Sequence, residues 1–531
     1  MSYFDNNIWN RNQYHNIEGK GRSNTAIKSL VIFIITGSIF SLLFMSIIIW
    51  QLSHYQSSSK IHTIILNVAS PLTHKISKRF LSFGLDSSLL RNMKHFPVRD
   101  DRFINLAHHL SPAYVRVGGT SADCLFFNRT LPIIFEKFIN PIDDGDISNF
   151  TLSTDDYLAV YEFTNKAGIR MMFDLNVLIR GSDGKWDDTN AKEIINFSKG
   201  RDMIVDWQMG NEPNSFRHVF NRTVSAKQLA DDYNHLRMLL NNMGYMSSIL
   251  VGPEVNHIGD ENRMGELYAI EFLKNDQNSI NYVTWHQYYL NGREATTKDF
   301  VNPEVFNRLP IQIDRIKNAI EEAGQNITMW MSETSSAYGG GAPELSDKFV
   351  AGFLWLDKLG YSASTGVNVV IRQSLFGGYY AMVGPDLNPN PDWWVSVMFK
   401  QFVSEKVLQL NNTNKFGTLR LYAHCTAENA LINRVPSVTI YGVNIDSKSV
   451  RISLRGNYDY KSSKVLLYIL TADYLKSREI RLNGDILTLN SDGSLPPFKP
   501  IIIDPAYIII LPPFSMAFII LHGANAQACA A

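Results

Sequence analysis

The sequence predicts an α/β protein, in which a (β/α)8 TIM barrel is followed by an all-β sandwich domain and preceded by a single N-terminal transmembrane helix. Three observations support this prediction. Residues 29–50 form an uncharged apolar stretch, residues 80–400 alternate strand-like runs with helical patterns, and residues 401–531 carry strand-like runs without a helix of useful length. The length of 531 residues suits one large barrel plus a smaller domain.

The composition narrows the kinds of site that the chain can carry. Lys plus Arg and Asp plus Glu both number 50, so the net charge points to no nucleic acid, and a polyanionic ligand would need a locally basic cleft. The three cysteines, Cys124, Cys425 and Cys529, are too few for a disulfide scaffold and form no CxxC metal site. We therefore expect neither a metal nor another cofactor.

The N-terminal apolar stretch at residues 29–50 has the composition of a membrane-spanning helix. At about 1.5 Å per residue it crosses a hydrocarbon core of roughly 30 Å. The apolar region of a signal peptide is shorter, typically about 7–15 residues, and a buried core helix is rarely this apolar, so we expect an uncleaved signal anchor. The basic residues that precede it, and that favour a cytoplasmic tail at residues 1–28, are Arg11, Lys20, Arg22 and Lys28.

A polar stalk at residues 51–60 would place the rest of the chain in the lumen or outside the cell, as a single-pass type II membrane protein. The lysosome and the cell surface both fit this topology. Six N-x-[ST] sequons give mild support for a secretory route, because their asparagines are glycosylation acceptors. The sequons are Asn128, Asn149, Asn196, Asn221, Asn326 and Asn411.

Between residues 80 and 400, eight short apolar runs alternate with amphipathic stretches such as Ala226–Asn242 and Glu344–Leu359, which is typical of a (β/α)8 barrel. A further strand-like run at Ile61–Val68 precedes them, and we expect segment 61–79 to join the C-terminal sheet. The predicted barrel strands are Phe80–Leu85, Tyr114–Val117, Met171–Leu175, Ile204–Met209, Ile249–Val251, Tyr282–Trp285, Thr328–Met331 and Val367–Ile371.

The C-terminal part, residues 401–531, consists of strand-like segments separated by turn signals, which predicts a β-sandwich domain. The predicted strands are Thr418–His424, Ser437–Tyr441, Val465–Leu470, Ile486–Leu489 and Ala517–Leu521. We find no internal repeat and no low-complexity tract in the chain.

Two glutamates follow predicted strands that lie across the barrel from each other. Glu212 follows the fourth strand, within Gly210–Asn214, and Glu333 follows the seventh, within Ser332–Thr334. The carboxyl ends of barrel strands face the active site, so both side chains are expected there. Two carboxyls about 5–5.5 Å apart are the apparatus of a retaining glycosidase, where one protonates the leaving oxygen and the other attacks the anomeric carbon. Either motif alone also fits an ordinary polar turn, so the hypothesis of a retaining glycosidase rests on the occurrence of both.

Longer motifs around both glutamates resemble the heparanases, and the resemblance extends from about Ile61 to Cys529. It implies a retaining endo-β-glucuronidase acting on heparan sulfate or a related uronic-acid glycan, with Glu212 as acid/base and Glu333 as nucleophile. The matching segments are Trp207–Phe216 (WQMGNEPNSF), Glu333–Pro343 (ETSSAYGGGAP), Trp285–Arg293 (WHQYYLNGR) and Tyr114–Thr120 (YVRVGGT).

The resemblance also implies a set of contacts with the glycan. Asn211 would hold the sugar 2-position, and the loop Tyr338–Gly340 would hold a uronic carboxylate, because successive backbone N–H groups form an anion nest. It further implies a bridge between Cys425 and Cys529, against the alternative of two free thiols, and leaves Cys124 as a buried small residue. The implied substrate-binding residues are Asp86, Thr120, Asn211, Tyr288, Arg293, Tyr338, Gly339, Gly340, Gln373 and Tyr380.

The sequence differs from the heparanase pattern at positions where that family binds sulfated glycans. Ser88 and Ser121 stand in place of a cleft asparagine and a cleft lysine, and the segment after Gly252–Val255 lacks the basic cluster of the family. Affinity for a polyanion depends on basic residues along the cleft. Two alternatives therefore stay open: a β-glycosidase of the same scaffold that acts on a less sulfated glycan, and a catalytically inactive glycan-binding protein.

Overall fold

Eight parallel strands form a barrel in the computed structural model, in which the first to fourth strands pair in chain order, the fifth to eighth do likewise, and the eighth pairs with the first. A backbone bridge between Trp207 and Leu250 links the fourth and fifth strands, so the barrel is nearly closed. The structure describes Met45 and residues 61–129, 139–140, 145–411, 416–459 and 461–530. The barrel strands are Leu81–Asp86, Tyr114–Gly118, Arg170–Leu175, Val205–Met209, Val251–Val255, Tyr282–Gln287, Met329–Thr334 and Val370–Arg372.

Helices connect the barrel strands, and several begin at a capping side chain that the sequence supplies. The Ser153 hydroxyl accepts a hydrogen bond from the Asp156 amide, and the Ser225 hydroxyl accepts one from the Gln228 amide. Each serine thus satisfies a backbone N–H group that has no partner within the first helical turn. The α-helices are Asp101–His108, Thr154–Lys166, Thr189–Lys199, Phe216–Phe220, Ala226–Asn242, Met264–Asn275, Pro303–Phe306, Arg308–Glu322, Ala351–Ser364 and Pro391–Phe402.

The predicted strands match the observed barrel strands to within a few residues, and the predicted helix Ala226–Asn242 is confirmed. The predicted helix Glu344–Leu359 is wrong at its start, because the observed helix is Ala351–Ser364. The preceding residues form turns, in which the Ser346 hydroxyl accepts the Ala342 amide and ties this segment to the loop before it. Side-chain bonds of this kind compete with helix formation.

The C-terminal domain is all-β and has two sheets around a shared core. The three-stranded sheet consists of Ile61–Leu66, Val450–Gly456 and Ile509–Leu511. The nine-stranded sheet consists of His74–Lys75, Val403–Leu408, Leu419–Thr426, Val438–Asn444, Ser515–His522, Lys464–Thr471, Arg481–Leu482, Asp485–Ile486 and Ile501–Ile503. The last barrel helix ends at Phe402, slightly beyond the predicted boundary at residue 400.

The nine-stranded sheet also packs against the barrel helices. Successive side chains of a strand point to opposite faces, so within Ser515–His522 the Ile519 side chain enters the core between the two sheets, whereas Phe518 packs towards the barrel. The Phe518 ring lies 5.8 Å from the ring of Phe402, at the end of the last barrel helix. The barrel and this β domain are therefore joined by a shared apolar core.

Ile61–Leu66 pairs in parallel with Val450–Gly456, so the first described strand belongs to the β domain. Among the described residues, no helix combines the length and the apolar character needed to cross a membrane. The predicted anchor at residues 29–50 and the predicted stalk at residues 51–60 lie outside the described residues, apart from Met45.

Candidate active site

The carboxyl ends of the barrel strands bring together five ionisable side chains, which we call the ionic cluster. Parallel strands place these ends on one face of the barrel, and each member comes from a different strand or from the loop that follows it. Polar side chains in such surroundings are stable only when they pair with one another. The ionic cluster consists of Arg116, Glu212, Glu254, His286 and Glu333.

Glu333, in the seventh strand, is held by two donors. The Arg116 guanidinium donates to its Oε2 at 2.6 Å, and the Tyr288 hydroxyl donates to its Oε1 at 2.7 Å. Burial alone would raise the pKa of Glu333, but the charges of His286 and Arg116 and these hydrogen bonds outweigh burial and lower the pKa. Glu333 is therefore an oriented carboxylate with little solvent around it.

Glu212 follows the fourth strand in a left-handed backbone conformation, with φ 55° and ψ 53°. Such a conformation costs a non-glycine residue about 1–3 kcal/mol, and it persists where the surroundings over-determine it. Here the Glu212 amide donates to the Glu254 carbonyl at 3.1 Å, and the next residue, Pro213, begins a short 3-10 helix. The backbone thus aims the Glu212 side chain at the face that holds Glu333.

His286 lies between two glutamates. Its Nδ1 is 2.8 Å from Glu212 Oε1, and its Nε2 is 2.8 Å from Glu254 Oε2. Burial alone would lower the pKa of His286, but the charge of Glu333 and the hydrogen bonds with Glu212 and Glu254 raise it to about 10. Glu254 is fully buried, yet Arg116 and His286 hold its pKa at about 2. His286 is therefore an imidazolium at neutral pH, and it can donate from both ring nitrogens.

Glu212, His286 and Glu333 each place one potential ligand atom within 4.8 Å of the others, a spacing that a metal site could show. Metal coordination by histidine needs a neutral imidazole with a free lone pair. Here both ring nitrogens of His286 are engaged by carboxylate oxygens at 2.8 Å. We therefore interpret this group as a charge-compensated hydrogen-bond network.

The predicted contact residues Asp86, Asn211, Gln373 and Tyr380 lie at the same end of the barrel. The Gln373 amide donates to Asp86 Oδ2 at 2.9 Å, and burial raises the pKa of Asp86. Asn211 accepts from Arg116 through Oδ1 at 2.7 Å, so the ionic cluster fixes its side chain. Tyr380 is almost fully buried, and the charge of Asp86 adds to burial in raising the pKa of its phenol.

The loops that follow the sixth and seventh strands are joined by short parallel strands at Leu290–Asn291 and Ala337–Tyr338. Tyr338 is half exposed, and its ring meets the Tyr288 ring edge-on at 6.5 Å. Gly339 and Gly340 have φ of 70° and 81°, and a Cβ on either would meet nothing within 4 Å. This part of the loop therefore exposes its backbone to an open space. Thr120 and Arg293, also predicted contacts, are exposed on the loops after the second and sixth strands.

The sequence analysis missed three members of the ionic cluster: Arg116, Glu254 and His286. Each stands within a buried barrel strand whose neighbours are mostly apolar. A charged residue inside such a run is rare unless it is paired, so this pattern could have marked all three. Their partners come from other strands, and the pairing becomes visible only when the barrel is closed.

Comparison with known proteins assigns the chain to a family. The model of the N-terminal domain of glycosyl hydrolase family 79 matches residues 86–360, which is more than half of the chain. Heparanase of Gallus gallus is 33% identical over 494 residues, covering 86% of this chain and 94% of that protein. The chain belongs to glycosyl hydrolase family 79. It is therefore a glycoside hydrolase by family, and the recognition drawn from its motifs is confirmed.

One further relative and one solved structure are also similar to this family 79 chain. Hyaluronoglucuronidase of Hirudo nipponia is 28% identical over 486 residues, covering 86% of this chain and 96% of that protein. A solved 4-O-α-L-rhamnosyl-β-D-glucuronidase from Fusarium oxysporum has a TM-score of 0.64 at 13% identity, covering 86% of this chain and 99% of that one. The latter similarity shows the fold alone.

The cysteines and the glycosylation sequons of this family 79 hydrolase can also be located in the structure. Cys425 and Cys529 form the disulfide that the motif resemblance implied, which links the β domain to the C-terminal tail. Cys124 is a buried free thiol, and burial raises its pKa to about 12. The six sequon asparagines are all exposed, as glycosylation would require, and their glycosylation stays a prediction.

Proposed function

We propose that this protein is a retaining endo-β-glucuronidase, which hydrolyses heparan sulfate or a related uronic-acid glycan by double displacement. One observation carries the proposal: carboxylate oxygens of Glu212 and Glu333 lie within 4.8 Å of each other. Retaining enzymes hold their carboxyl groups about 5–5.5 Å apart, whereas inverting enzymes leave about 6.5–9.5 Å for a water molecule. The separation in this barrel favours the retaining route.

Glu333 is assigned as the nucleophile, because Arg116 and Tyr288 hold it as an oriented carboxylate. In the first step a Glu333 oxygen bonds to the anomeric carbon, the bond to the leaving oxygen breaks, and Glu212 gives that oxygen a proton. In the second step Glu212 takes a proton from water, whose oxygen attacks the anomeric carbon and releases Glu333. Asn211, fixed by Arg116, is placed to bond the sugar 2-hydroxyl.

The proposed substrate is a glycosaminoglycan with uronic-acid units. The open backbone at Gly339 and Gly340 supports this assignment, because successive N–H groups there can bind a uronic carboxylate without a side chain in the way. The heparanase and hyaluronoglucuronidase relatives act on substrates of this class by their names.

A second candidate substrate is a less sulfated glycan. In the heparanases a lysine occupies the position of Ser121, and here the neighbouring cation, Arg91, is already engaged: it donates to Ser121 at 3.1 Å and lies 3.7 Å from Asp146. In the loop after the fifth strand, His257 pairs with Asp260 at 2.9 Å. These positions offer less uncompensated positive charge to a sulfate group than a basic cluster would.

An inactive glycan-binding protein is the third candidate, and the site disfavours it. Loss of activity usually removes a reacting carboxylate or the groups that orient it. Here Glu212 and Glu333 are both present, and each carboxyl group has a hydrogen-bond partner that restricts its orientation. A protein that only binds a glycan does not need two oriented carboxyl groups at this spacing.

We also propose that the enzyme is anchored through residues 29–50 as a type II membrane protein. The length and composition of that stretch support the anchor, and the exposed sequons support a catalytic domain outside the cytosol. This placement would give the enzyme access to the glycans of the cell surface or of the lysosome.

Digestion of defined oligosaccharides tests the proposed function. Purified protein is incubated with heparan sulfate oligosaccharides of graded sulfation and with hyaluronan oligosaccharides, and product masses and the first-formed anomer are determined. We expect cleavage after an internal glucuronic acid with the β-configuration retained. An α-anomer as first product would exclude double displacement. Binding without cleavage of any of these glycans would favour the inactive candidate.

A further inference from the structure

The ionic cluster contains a continuous row of hydrogen bonds that the double-displacement scheme does not use. It begins at Glu212 Oε1, passes through Nδ1 and Nε2 of His286, and ends at Glu254 Oε2, with both bonds at 2.8 Å. The Glu254 and His286 side chains are 0% and 1% exposed. The proton on Nδ1 of His286 therefore faces no solvent and has Glu212 as its immediate acceptor.

The charged groups around His286 come from several neighbouring strands and from the loop after the fourth strand. Glu212 and Glu254 contact its ring nitrogens, and Glu333 Oε1 lies 3.9 Å from its Nδ1. The other charged neighbour in the ionic cluster is the Arg116 guanidinium, which is bonded to Glu333 and lies 3.3 Å from Glu254. Within the ionic cluster, three glutamates therefore lie near one guanidinium, apart from the imidazole ring itself. This balance favours keeping a proton on His286.

Glu254 has no direct access to the glycan in this arrangement. It is fully buried behind His286, and its Oε2 also accepts from the Ser332 hydroxyl at 2.9 Å. A buried carboxylate is costly unless it is paired, and Glu254 has two partners, the Arg116 guanidinium at 3.3 Å and the His286 ring at 2.8 Å. Of these two partners, the imidazole ring is the one that also contacts the proposed acid/base, Glu212.

We propose that His286, held by Glu254, stores the proton that Glu212 delivers to the leaving oxygen. His286 is then a proton-holding residue and Glu254 a positioning residue. The inference rests on the proposed function, because it needs Glu212 as acid/base and Glu333 as nucleophile. It goes beyond that function by assigning two residues outside the carboxylate pair.

The proton balance closes within the row. In glycosylation the Nδ1–H bond of His286 breaks as an O–H bond forms on Glu212, and Glu212 passes a proton to the leaving oxygen. His286 becomes neutral and keeps its Nε2–H bond to Glu254. In deglycosylation Glu212 takes a proton from the attacking water and returns it to Nδ1. One proton thus moves out and back in each turnover.

The charge of Glu333 couples this movement to the reaction. The Glu333 carboxylate contributes to the charge that holds the proton on His286. When Glu333 forms an ester with the sugar, it becomes neutral, so His286 holds its proton less tightly. The proton is therefore released in the step in which the leaving oxygen needs it. Hydrolysis of the ester restores the charge and the stored proton.

A leaving-group comparison tests the stored proton. We compare E254Q with wild-type enzyme on two β-glucuronides that differ only in the leaving group, either the natural sugar or 4-nitrophenol, at pH 7. E254Q keeps the shape of the side chain but removes the charge that supports the imidazolium. We expect the rate on the sugar leaving group to fall by about 10–10²-fold, and the rate on 4-nitrophenol, which needs little protonation, to change by less than about 3-fold.

The matched control is E266Q, because Glu266 is also fully buried and accepts a hydrogen bond from a loop amide, that of Gly259. E266Q should leave the ratio of the two rates unchanged. If E254Q lowers both rates by the same factor, Glu254 is merely structural and the inference is wrong. If wild-type enzyme cleaves neither substrate at any pH, the proposed function itself fails, so the two failures are distinguishable.

A second measurement covers the case in which E254Q does not fold. Wild-type enzyme with 15N-labelled histidine is compared by NMR with H286Q, which identifies the His286 signals. We expect both ring nitrogens of His286 to carry protons at pH 7.5 in the free enzyme. After a mechanism-based inhibitor has esterified Glu333, only one should carry a proton. A neutral His286 in the free enzyme, or no change on esterification, overturns the inference.

Discussion

At the residue scale, Glu212 combines an unusual backbone with an unusual partner. Its left-handed conformation is fixed by the bond from its amide to the Glu254 carbonyl, and its side chain bonds to His286. The two glutamates of the active site thus have different surroundings. Glu333 is bonded by a cation and a phenol, whereas Glu212 faces a group that can take or return a proton. Different surroundings are what allow two carboxyls to take different roles.

Substitution of Glu212 by glutamine should separate these roles. E212Q should lower the rate on a natural glycan by about 10²–10⁴-fold, the usual effect of losing a general acid, and should lower it less on a 4-nitrophenyl glucuronide. E333Q removes the nucleophile, so it should abolish turnover of both substrates. Steady-state kinetics with the two substrates checks this. Equal losses for both substrates in E212Q would contradict its role as the acid.

At the element scale, the helix Ala351–Ser364 connects the active site to the β domain. Lys358, fully buried on this helix, donates to the carbonyl of Ser335, two residues after Glu333, the proposed nucleophile. On its outer side the helix approaches the nine-stranded sheet, where the Tyr422 hydroxyl donates to Asp357 at 2.7 Å. The position of the nucleophile loop therefore depends on how closely this helix packs on the sheet.

Two glycines of this helix offer a matched test of that packing. A Cβ at Gly360 would lie 2.0 Å from the Tyr422 ring, whereas a Cβ at Gly352 would meet the end of the Met516 side chain at 2.8 Å. Alanine at either position gains about 1 kcal/mol of helix propensity. G360A should nevertheless lower the free energy of unfolding by about 1–3 kcal/mol. The Tyr422 ring is held by its hydrogen bond to Asp357, so it cannot easily move away from the added methyl group.

G352A should stay within about 1 kcal/mol of wild-type stability, because a methionine terminus can move aside. Urea unfolding followed by tryptophan fluorescence measures both variants. Equal destabilisation by the two substitutions would show that the helix does not pack on the sheet at Gly360 as the structure describes. Activity of G360A on the glycan reports whether the nucleophile loop follows the helix.

At the scale of the whole molecule, the predicted anchor would determine where the enzyme works. We expect the C-terminus of the full-length protein to lie outside the cytosol, because the charge bias places the N-terminus inside. Epitope tags at the two ends, treated with protease in intact and permeabilised cells, measure this. The C-terminal tag of a type II protein should be accessible at the surface or protected inside vesicles, and its sequons should carry glycans. A C-terminal tag in the cytosol would contradict the topology.

Local patterns determined much of the fold and the reacting pair. Each barrel strand is a short apolar run between turn signals, so its position follows from local preferences, and the order of strands and helices follows from the chain. Glu212 and Glu333 could be predicted because each lies at or just beyond the carboxyl end of such a strand. The start of the helix at Ala351 could not be predicted in this way. The residues before it form turns, in which the Ala342 amide donates a hydrogen bond to the Ser346 hydroxyl. Local preference is overridden there by a contact outside the predicted helix.

Only the tertiary structure decided what surrounds the reacting pair. Trp207 and Trp330 stand close to the two glutamates in sequence, yet both are buried, and Trp330 stacks on Tyr282 at 4.4 Å. The groups that contact the glutamates come instead from strands far apart in the chain. Arg116 reaches Glu333 across 217 positions of sequence, and His286 reaches Glu212 across 74. Electrostatic interactions depend on distance in space, so the charges of these residues could be assigned only after the barrel had brought them together.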